Sequence, residues 1–265
     1  MNLKVKVLGC GNSAGVPMIG NFWGQCDPEE PRNRRTRASL AIESEETTLV
    51  IDTGPDFKAQ INRENIQRLN AVLYTHAHSD HLHGIDDLRV FRLRNKKVIP
   101  IYGDLKTIRE IEERFSYLFV ENGPDGLYPR AVEPIIIHPE FMGQPMVIGD
   151  IPVTPFVQSH GVAGTSLGFR FGDLAYSTDM TDLDQQALET ISGIKTWIVD
   201  CNGYKMPANH VHATLKNVFV LNEIVQAAQV YLTHMPAFMD YKTVMNELPS
   251  GYAPAYDGLA LEIDI

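Results

Sequence analysis

An α/β sandwich, with two mixed β-sheets flanked on their outer faces by helices (αββα), is the fold class that this 265-residue chain predicts. Twelve short β-type runs alternate with six helical patterns, and strands in such number, with helices between them, pack as two sheets covered by helices. Several runs end in His or Asp, which gathers imidazoles and carboxylates at one rim of a sandwich. No Ser/Gly linker or low-complexity tract interrupts the pattern, so one domain is expected over residues 1–265.

The elements follow in chain order. The opening Leu3-Lys4-Val5-Lys6-Val7-Leu8 alternates apolar and polar, and reads as a first strand over 4–8 rather than a signal peptide. Strands are expected at 39–42 and 48–51, the second running into Asp52, followed by a helix at 56–68. A strand at 72–75 ends in Thr75-His76; helices at 85–94 and 105–119 then flank a strand at 98–102. Pro and Gly mark loops at 121–134 and 141–155. Strands at 135–138, 152–157, 166–171 and 174–177 come next, the last leading into Asp179. A helix at 182–192 precedes a strand at 196–199 that ends in Asp200. Helix 213–227, strand 230–233 with its own Thr233-His234 ending, helix 241–248 and strand 259–263 complete the chain.

Composition narrows the function classes. With 44% apolar and 21% charged residues the chain has an ordinary globular make-up. A formal net charge of −10 disfavours long nucleic acid and anionic membrane as partners. Apolar stretches are too short to span a bilayer. Three cysteines without a CxxC pair point to a reducing cytoplasm.

The strongest signal is His76-Ala77-His78-Ser79-Asp80-His81. In a chain of this composition such a pattern arises by chance in roughly one sequence in 1,500. Read as locally extended, His76, His78 and Asp80 project to one side, and a turn brings His81 beside them. Four ligands exceed what one catalytic ion with an open position can use. They suit two divalent ions, Zn²⁺ or Mn²⁺, with His76 and His78 on one and Asp80 and His81 on the other.

With this motif the chain resembles the metallo-β-lactamase-fold hydrolases. The resemblance implies that His160 completes the first metal site, that His234 completes the second, and that Asp179 bridges them. It also implies that Asp52 supports the ligands from behind. Three further segments resemble the phosphodiesterase branch: Leu8-Gly9-Cys10-Gly11-Asn12-Ser13-Ala14-Gly15-Val16-Pro17, the run from Asn33 to Ser39, and Asn209-His210-Val211-His212-Ala213-Thr214. The closing Ala255-Tyr256-Asp257-Gly258 does so too. The match is nearer to the PhnP type, phosphoribosyl cyclic phosphate phosphodiesterases, than to ribonuclease Z. An Asp at 179, where true β-lactamases commonly use Cys, argues against antibiotic hydrolysis. Only Cys26 stands in the first loop, so a structural zinc held by a cysteine cluster is not expected. The resemblance admits a homodimer.

The expected chemistry is hydrolysis of a small cyclic or nucleotide-like phosphodiester to a phosphomonoester. Two cations lower the pKa of the water between them, giving a bridging hydroxide at neutral pH, and neutralise charge on the phosphoryl oxygens. Asp80, His212 and His210 are the candidate catalytic residues. Asp80 doubles as a ligand, His212 is by resemblance the general acid, and His210 is its rival. Ser13, Arg35 and Arg89 are candidate phosphate contacts: the first loop could offer backbone N–H groups, and Arg32, Arg34, Arg35 and Arg37 offer forked donors. Asp257 could support a metal-bound histidine, as Asp52 does. His83 is expected behind the site or at a helix start, and His138 in a structural role. Three alternatives stand beside this reading: ribonuclease Z-like processing of tRNA, thioester or lactone hydrolysis on the same metals, and a nucleotide-binding metalloprotein that senses rather than catalyses.

Overall fold

The computed structural model describes residues 2–121 and 129–265. The first half of the chain builds β1 (Asn2–Gly9), β2 (Ser39–Glu43), β3 (Thr48–Ile51), α1 (Phe57–Arg63), β4 (Ala71–Leu73), α2 (Ser79–Leu82), α3 (Leu88–Asn95), β5 (Ile99–Gly103), α4 (Leu105–Arg114) and β6 (Val132–Ile136). The second half builds β7 (Met146–Ile148), β8 (Ile151–Ser159), β9 (Thr165–Phe171), β10 (Leu174–Ser177), α5 (Gln185–Ile191), β11 (Thr196–Asp200) and α6 (Leu215–Val225). It closes with β12 (Gln229–Thr233), α7 (Tyr241–Glu247), β13 (Tyr252–Pro254) and β14 (Ala260–Asp264).

Two mixed seven-stranded sheets result, ordered β14-β1-β2-β3-β4-β5-β6 and β13-β12-β11-β10-β9-β8-β7. Each is antiparallel on one side and parallel on the other. β3, β4, β5 and β6 run parallel in the first sheet, and β10, β11, β12 and β13 in the second. The layers follow from which residues alternate inward. Val5, Val7, Leu40, Ile42, Leu49 and Ile51 of the first sheet share a core with Phe169, Phe171, Trp197 and Val199 of the second. Their neighbours on the opposite face, Ala41, Val50, Val72 and Ile101, pack instead against Phe57, Ile61, Phe91, Ile108 and Ile111 of the helices. Period-two alternation thus makes one face of the first sheet the central core and the other a helix-covered face.

The structure departs from the sequence reading where elements are short. β7 and β13, three residues each at opposite edges of the second sheet, went unforeseen, and β7 lies inside the loop expected at 141–155. β6 begins at Val132, inside the loop expected at 121–134; residues 122–128 of that loop lie outside the described residues. The helix expected over 85–94 is a 3₁₀ turn, Ile85–Asp87, followed by α3. That over 105–119 ends at Arg114 and continues as the 3₁₀ turn Ser116–Leu118. The Thr-His echo joins β4 to β12, which do not occupy equivalent positions. By sheet order β3 corresponds to β10, and both are followed by an aspartate with positive φ.

Candidate metal centre

Parallel strands end together, and that edge is where this chain changes backbone conformation. Asp52 after β3, Asp179 after β10 and His234 after β12 have φ of 63°, 52° and 57°. This left-handed region is uncommon for non-Gly residues, though less so for Asp and His, and costs about 1–3 kcal/mol at each position. It turns the backbone out of the strand direction at the point where the side chain must face the other sheet. His76–His81 supplies the opposing wall. Contrary to the extended reading, only His76 and His78 precede a regular turn; Asp80 and His81 sit on α2. Gly54 lets α2 press onto the turn after β3, for a Cβ there would lie 2.1 Å from the Asp80 carbonyl oxygen.

Seven side chains converge. Ligand atoms of His76, His78, His160 and Asp179 lie within 4.8 Å of one another, as do those of Asp80, His81 and His234. The Asp179 carboxylate reaches both groups: Oδ1 is 3.5 Å from His160 Nε2, and Oδ2 is 2.9 Å from His81 Nε2 and 3.3 Å from His234 Nε2. All but His78 are buried. A third grouping brings His212 beside Asp179 and His234, its ring 4.7 Å from that of His234 and 5.4 Å from that of His160.

Hydrogen bonds on the far side of each ring set its tautomer. Thr75 Oγ1 donates to Asp52 Oδ2 at 2.8 Å, so its lone pair is what accepts from His76 Nδ1 at 2.9 Å. His81 Nδ1 donates to Asp52 Oδ2 at 2.7 Å, and His160 Nδ1 to the Val211 carbonyl at 2.7 Å. Each ring therefore turns its Nε2 inward, the nitrogen a metal ligand offers once it carries no proton. His76 Nε2 and His81 Nε2 are buried and make no hydrogen bond; although His81 Nε2 approaches Asp179, the contact is out of line for one. Buried polar atoms are rarely left without a partner, and divalent cations would supply it. Imidazole with carboxylate is the donor set of Zn²⁺ or Mn²⁺ sites.

The electrostatics of the cluster point the same way. Burial works against charge on His81, yet Asp179, Asp80 and Asp52 hold its pKa well above the ordinary value. Burial likewise opposes the Asp179 carboxylate, but His234 and His81 keep it well below its ordinary value. His76 is lowered, first by burial and then by His81. Carboxylates and imidazoles so mixed form a pocket demanding positive charge. His212 differs: burial would lower it, but Asp200, whose Oδ2 accepts from His212 Nδ1 at 2.8 Å, raises it to about 9.

Other expected contacts fall elsewhere. His210 is exposed, its backbone carbonyl accepts from Val162 N at 3.1 Å, and its side chain is outside the cluster. Arg35 is 2% exposed, with Nη2 donating to the Met239 carbonyl at 2.6 Å and to Asn33 Oδ1 at 3.1 Å, and Nη1 to the Pro236 carbonyl at 3.3 Å, so it braces backbone rather than meeting a phosphate at the cluster. Arg89 bonds Asp86 of the 3₁₀ turn that precedes its helix and lines a separate cavity of about 300 Å³. Ser13 is exposed, and its carbonyl accepts from Arg37 Nε at 3.1 Å. Asp257 supports no histidine: it accepts from Cys10 N, Thr36 N and Oγ1, and Arg63 Nη1, tying the first loop to its neighbours. His83 and His138 are exposed. Among the described residues no metal-type grouping includes Cys26.

Asp200 went unassigned in the sequence, although its place at a strand end was a signal. Arg114, whose Nη1 donates to the Ala77 carbonyl at 2.6 Å between two of the histidines, left no sequence signal at all.

A model of the beta-lactamase superfamily domain matches residues 47–235, a span from just before Asp52 to just after His234. A diphosphatase from the PhnP family, known from its crystal structure, is 31% identical, with a TM-score of 0.86 over 99% of this chain and 98% of that one. An octanoyltransferase of Porphyromonas gingivalis is 29% identical over 272 residues, covering 99% of this chain and 52% of that protein. Exodeoxyribonuclease WalJ of Streptococcus pneumoniae is 28% identical over 179 residues, covering 65% of this chain and 58% of that protein. The chain thus spans about half the length of the curated relatives it matches.

Proposed function

The chain belongs to the metallo-β-lactamase superfamily of hydrolases, in its PhnP-type branch, and from that premise we propose that it is a metal-dependent hydrolase of a small phosphodiester, cyclic or nucleotide-like, releasing a phosphomonoester. In this reading His76, His78 and His160 would hold one divalent ion, Zn²⁺ or Mn²⁺, and Asp80, His81 and His234 the other, with Asp179 within reach of both groups. Bound there, such cations would acidify water and neutralise charge on phosphoryl oxygens.

The observation that carries the phosphodiester reading is His212. It stands beside the cluster without being needed to complete either ion's ligand set, and Asp200 holds its Nδ1. Nε2 remains the atom that can give a proton to a departing alkoxide, or clamp a phosphoryl oxygen while the ring is charged. Asp200 fixes the ring and favours its protonated form. Its own place is secured by Met180 N at 3.1 Å and Asn202 N at 3.0 Å. An alkoxide needs that proton far more than a thiolate does, which is why the residue favours a diester over a thioester. The net charge of −10 selects by size, since a long polyanion must cross an unfavourable surface.

A second reading, hydrolysis of a diphosphate, is favoured by the PhnP-family relative being a diphosphatase. A leaving phosphate is a weaker base than an alkoxide and has less use for His212. One set of assays separates the two: turnover of a nucleoside 2′,3′-cyclic phosphate and of a dinucleoside diphosphate by the Zn²⁺- or Mn²⁺-loaded protein and its His212→Ala variant. Cyclic phosphate turnover that falls about 10²–10⁴-fold in the variant, at unchanged metal content, supports the phosphodiesterase. Turnover of the diphosphate alone, insensitive to His212, overturns it. Cleavage of precursor tRNA in place of both substrates would return the nuclease alternative.

A further inference from the structure

The arginine-rich segment and the first loop meet at a cavity of about 520 Å³ that shares no lining residue with the histidine cluster. Gly15, Val16, Pro17 and Pro31 give it an uncharged wall, and four arginines, Thr36 and two aspartates line the remainder. Both carboxylates are already engaged. Asp56 accepts from Arg37 N at 2.9 Å and from Arg37 Nη1 at 3.0 Å. Asp257 accepts from Arg63 Nη1 at 3.1 Å and from Thr36 and Cys10.

Glu64 also pairs with Arg63 at 2.7 Å, and four arginines still outnumber these three carboxylates. Arg35, 2% exposed, has carbonyl and amide partners but, among the described residues, no carboxylate within ion-pair distance, and its Nε is buried without a hydrogen bond. A buried charge left without a counter-charge is costly. Arg34 makes no side-chain hydrogen bond or ion pair among the described residues; its guanidinium lies 4.8 Å over the ring of Trp23. Arg37 uses Nε and Nη1, and among the described residues its Nη2 makes no hydrogen bond. Arg34 and Arg37 thus bring unengaged N–H donors to the lining, beside the buried charge of Arg35.

We propose that this cavity is an anion site separate from the metal centre, taking a phosphomonoester of a small organic molecule. Phosphoryl oxygens would meet Arg34 and the free amino group of Arg37, with Arg35 adding its charge from below, and charge-assisted bonds of this kind are the strong ones. The organic part would lie against Val16, Pro17 and Pro31. A cavity of this size, walled in part by apolar side chains, suits such an ester better than the bare ion.

The chain has only two tryptophans, Trp23 beside Arg34 and Trp197 fully buried, so tryptophan emission reports on this cavity. The metal-loaded protein is titrated with ribose 5-phosphate and with inorganic phosphate, read by fluorescence and by calorimetry. The expected result is saturable binding of ribose 5-phosphate at least as tight as that of inorganic phosphate, weakened about tenfold or more by Arg34→Gln and retained in Asp80→Asn. Calorimetry keeps the Arg34→Gln comparison valid, because that substitution alters Trp23 directly. No saturable binding up to about 10 mM, unchanged affinity in Arg34→Gln, binding of inorganic phosphate alone, or loss of binding in Asp80→Asn would each overturn the assignment. The last result would put the phosphate at the histidine cluster.

Discussion

The two sheets bring their chemistry to the shared rim in opposite ways. The first contributes His76, His78, Asp80 and His81 from one strand-to-helix connection after β4. The second contributes His160, Asp179, His212 and His234 from separate strand ends and a loop, spread from residue 160 to residue 234. The compact set is held by local geometry: Asp52 accepts from Thr75 and His81, and Gly54 admits the short helix that carries Asp80. The dispersed set is held by register, because β10, β11 and β12 are parallel neighbours and end together. Local geometry survives small shifts between elements. A set fixed by register depends on the packing of the whole sheet.

If the two sets form one centre, Asp179 joins them, and Asp179→Ala should have the largest effect. Turnover is expected to fall by more than about 10³-fold, beyond the loss from one missing electrostatic donor, together with a loss of bound metal by elemental analysis. A protein that keeps its full metal content would mean the two sets act independently. The two buried aspartates behind the rings should then separate binding from catalysis. Asp52→Asn is expected to weaken metal affinity about 10–100-fold in a chelator competition. Asp200→Asn should leave metal content intact and lower diester turnover through His212. Equal effects of both substitutions on metal content would erase the distinction.

Away from the centre, Asp257→Ala leaves Thr36, Cys10 and Arg63 without their shared acceptor. It should cost about 1–3 kcal/mol in a urea titration with no change in metal content. A change in metal content would restore a supporting role for Asp257 at the site.

The smallest expected effect is the acid limb of stability. Arg32 holds the Glu30 carboxyl down to about 2. Burial would raise Asp240, but hydrogen bonds from Thr243, Asn33 and Asp27 bring it to about 2. Both folded values lie below those of the unfolded chain, which therefore takes up protons first as the solution is acidified. The stability these groups contribute is fully present above the ordinary carboxylate range and is lost as the pH falls toward 2. Glu30→Gln should flatten the urea midpoint between pH 5 and about 2.5; an unchanged slope would remove Glu30 from the account.

Alternation and turn residues made most strands legible, and the His76–His81 spacing marked the compact half of the centre without any knowledge of the fold. The misses have physical causes. β7 and β13 are three-residue edge strands, too short for periodicity to register. The sequence shows that Arg35 and Asp257 are charged, but not that their partners are backbone carbonyls some 200 residues away for the one and the first-loop neighbours for the other. His210 and His212 carry the same chemistry two residues apart; the resemblance preferred His212, and only the fold places Asp200 beside it.

Residue types and their local spacing are written in the chain directly: the fold class, the acidic balance, and a divalent-cation chemistry of imidazole and carboxylate. Which strand ends meet is decided by long-range pairing between the sheets. That pairing alone put Asp179 between two groups of candidate ligands, turned three Nε2 atoms inward, and gathered four arginines around two engaged carboxylates at a separate cavity. Local sequence constrains neighbours a few residues apart, whereas contacts between distant segments exist only once the two sheets have closed on a common core.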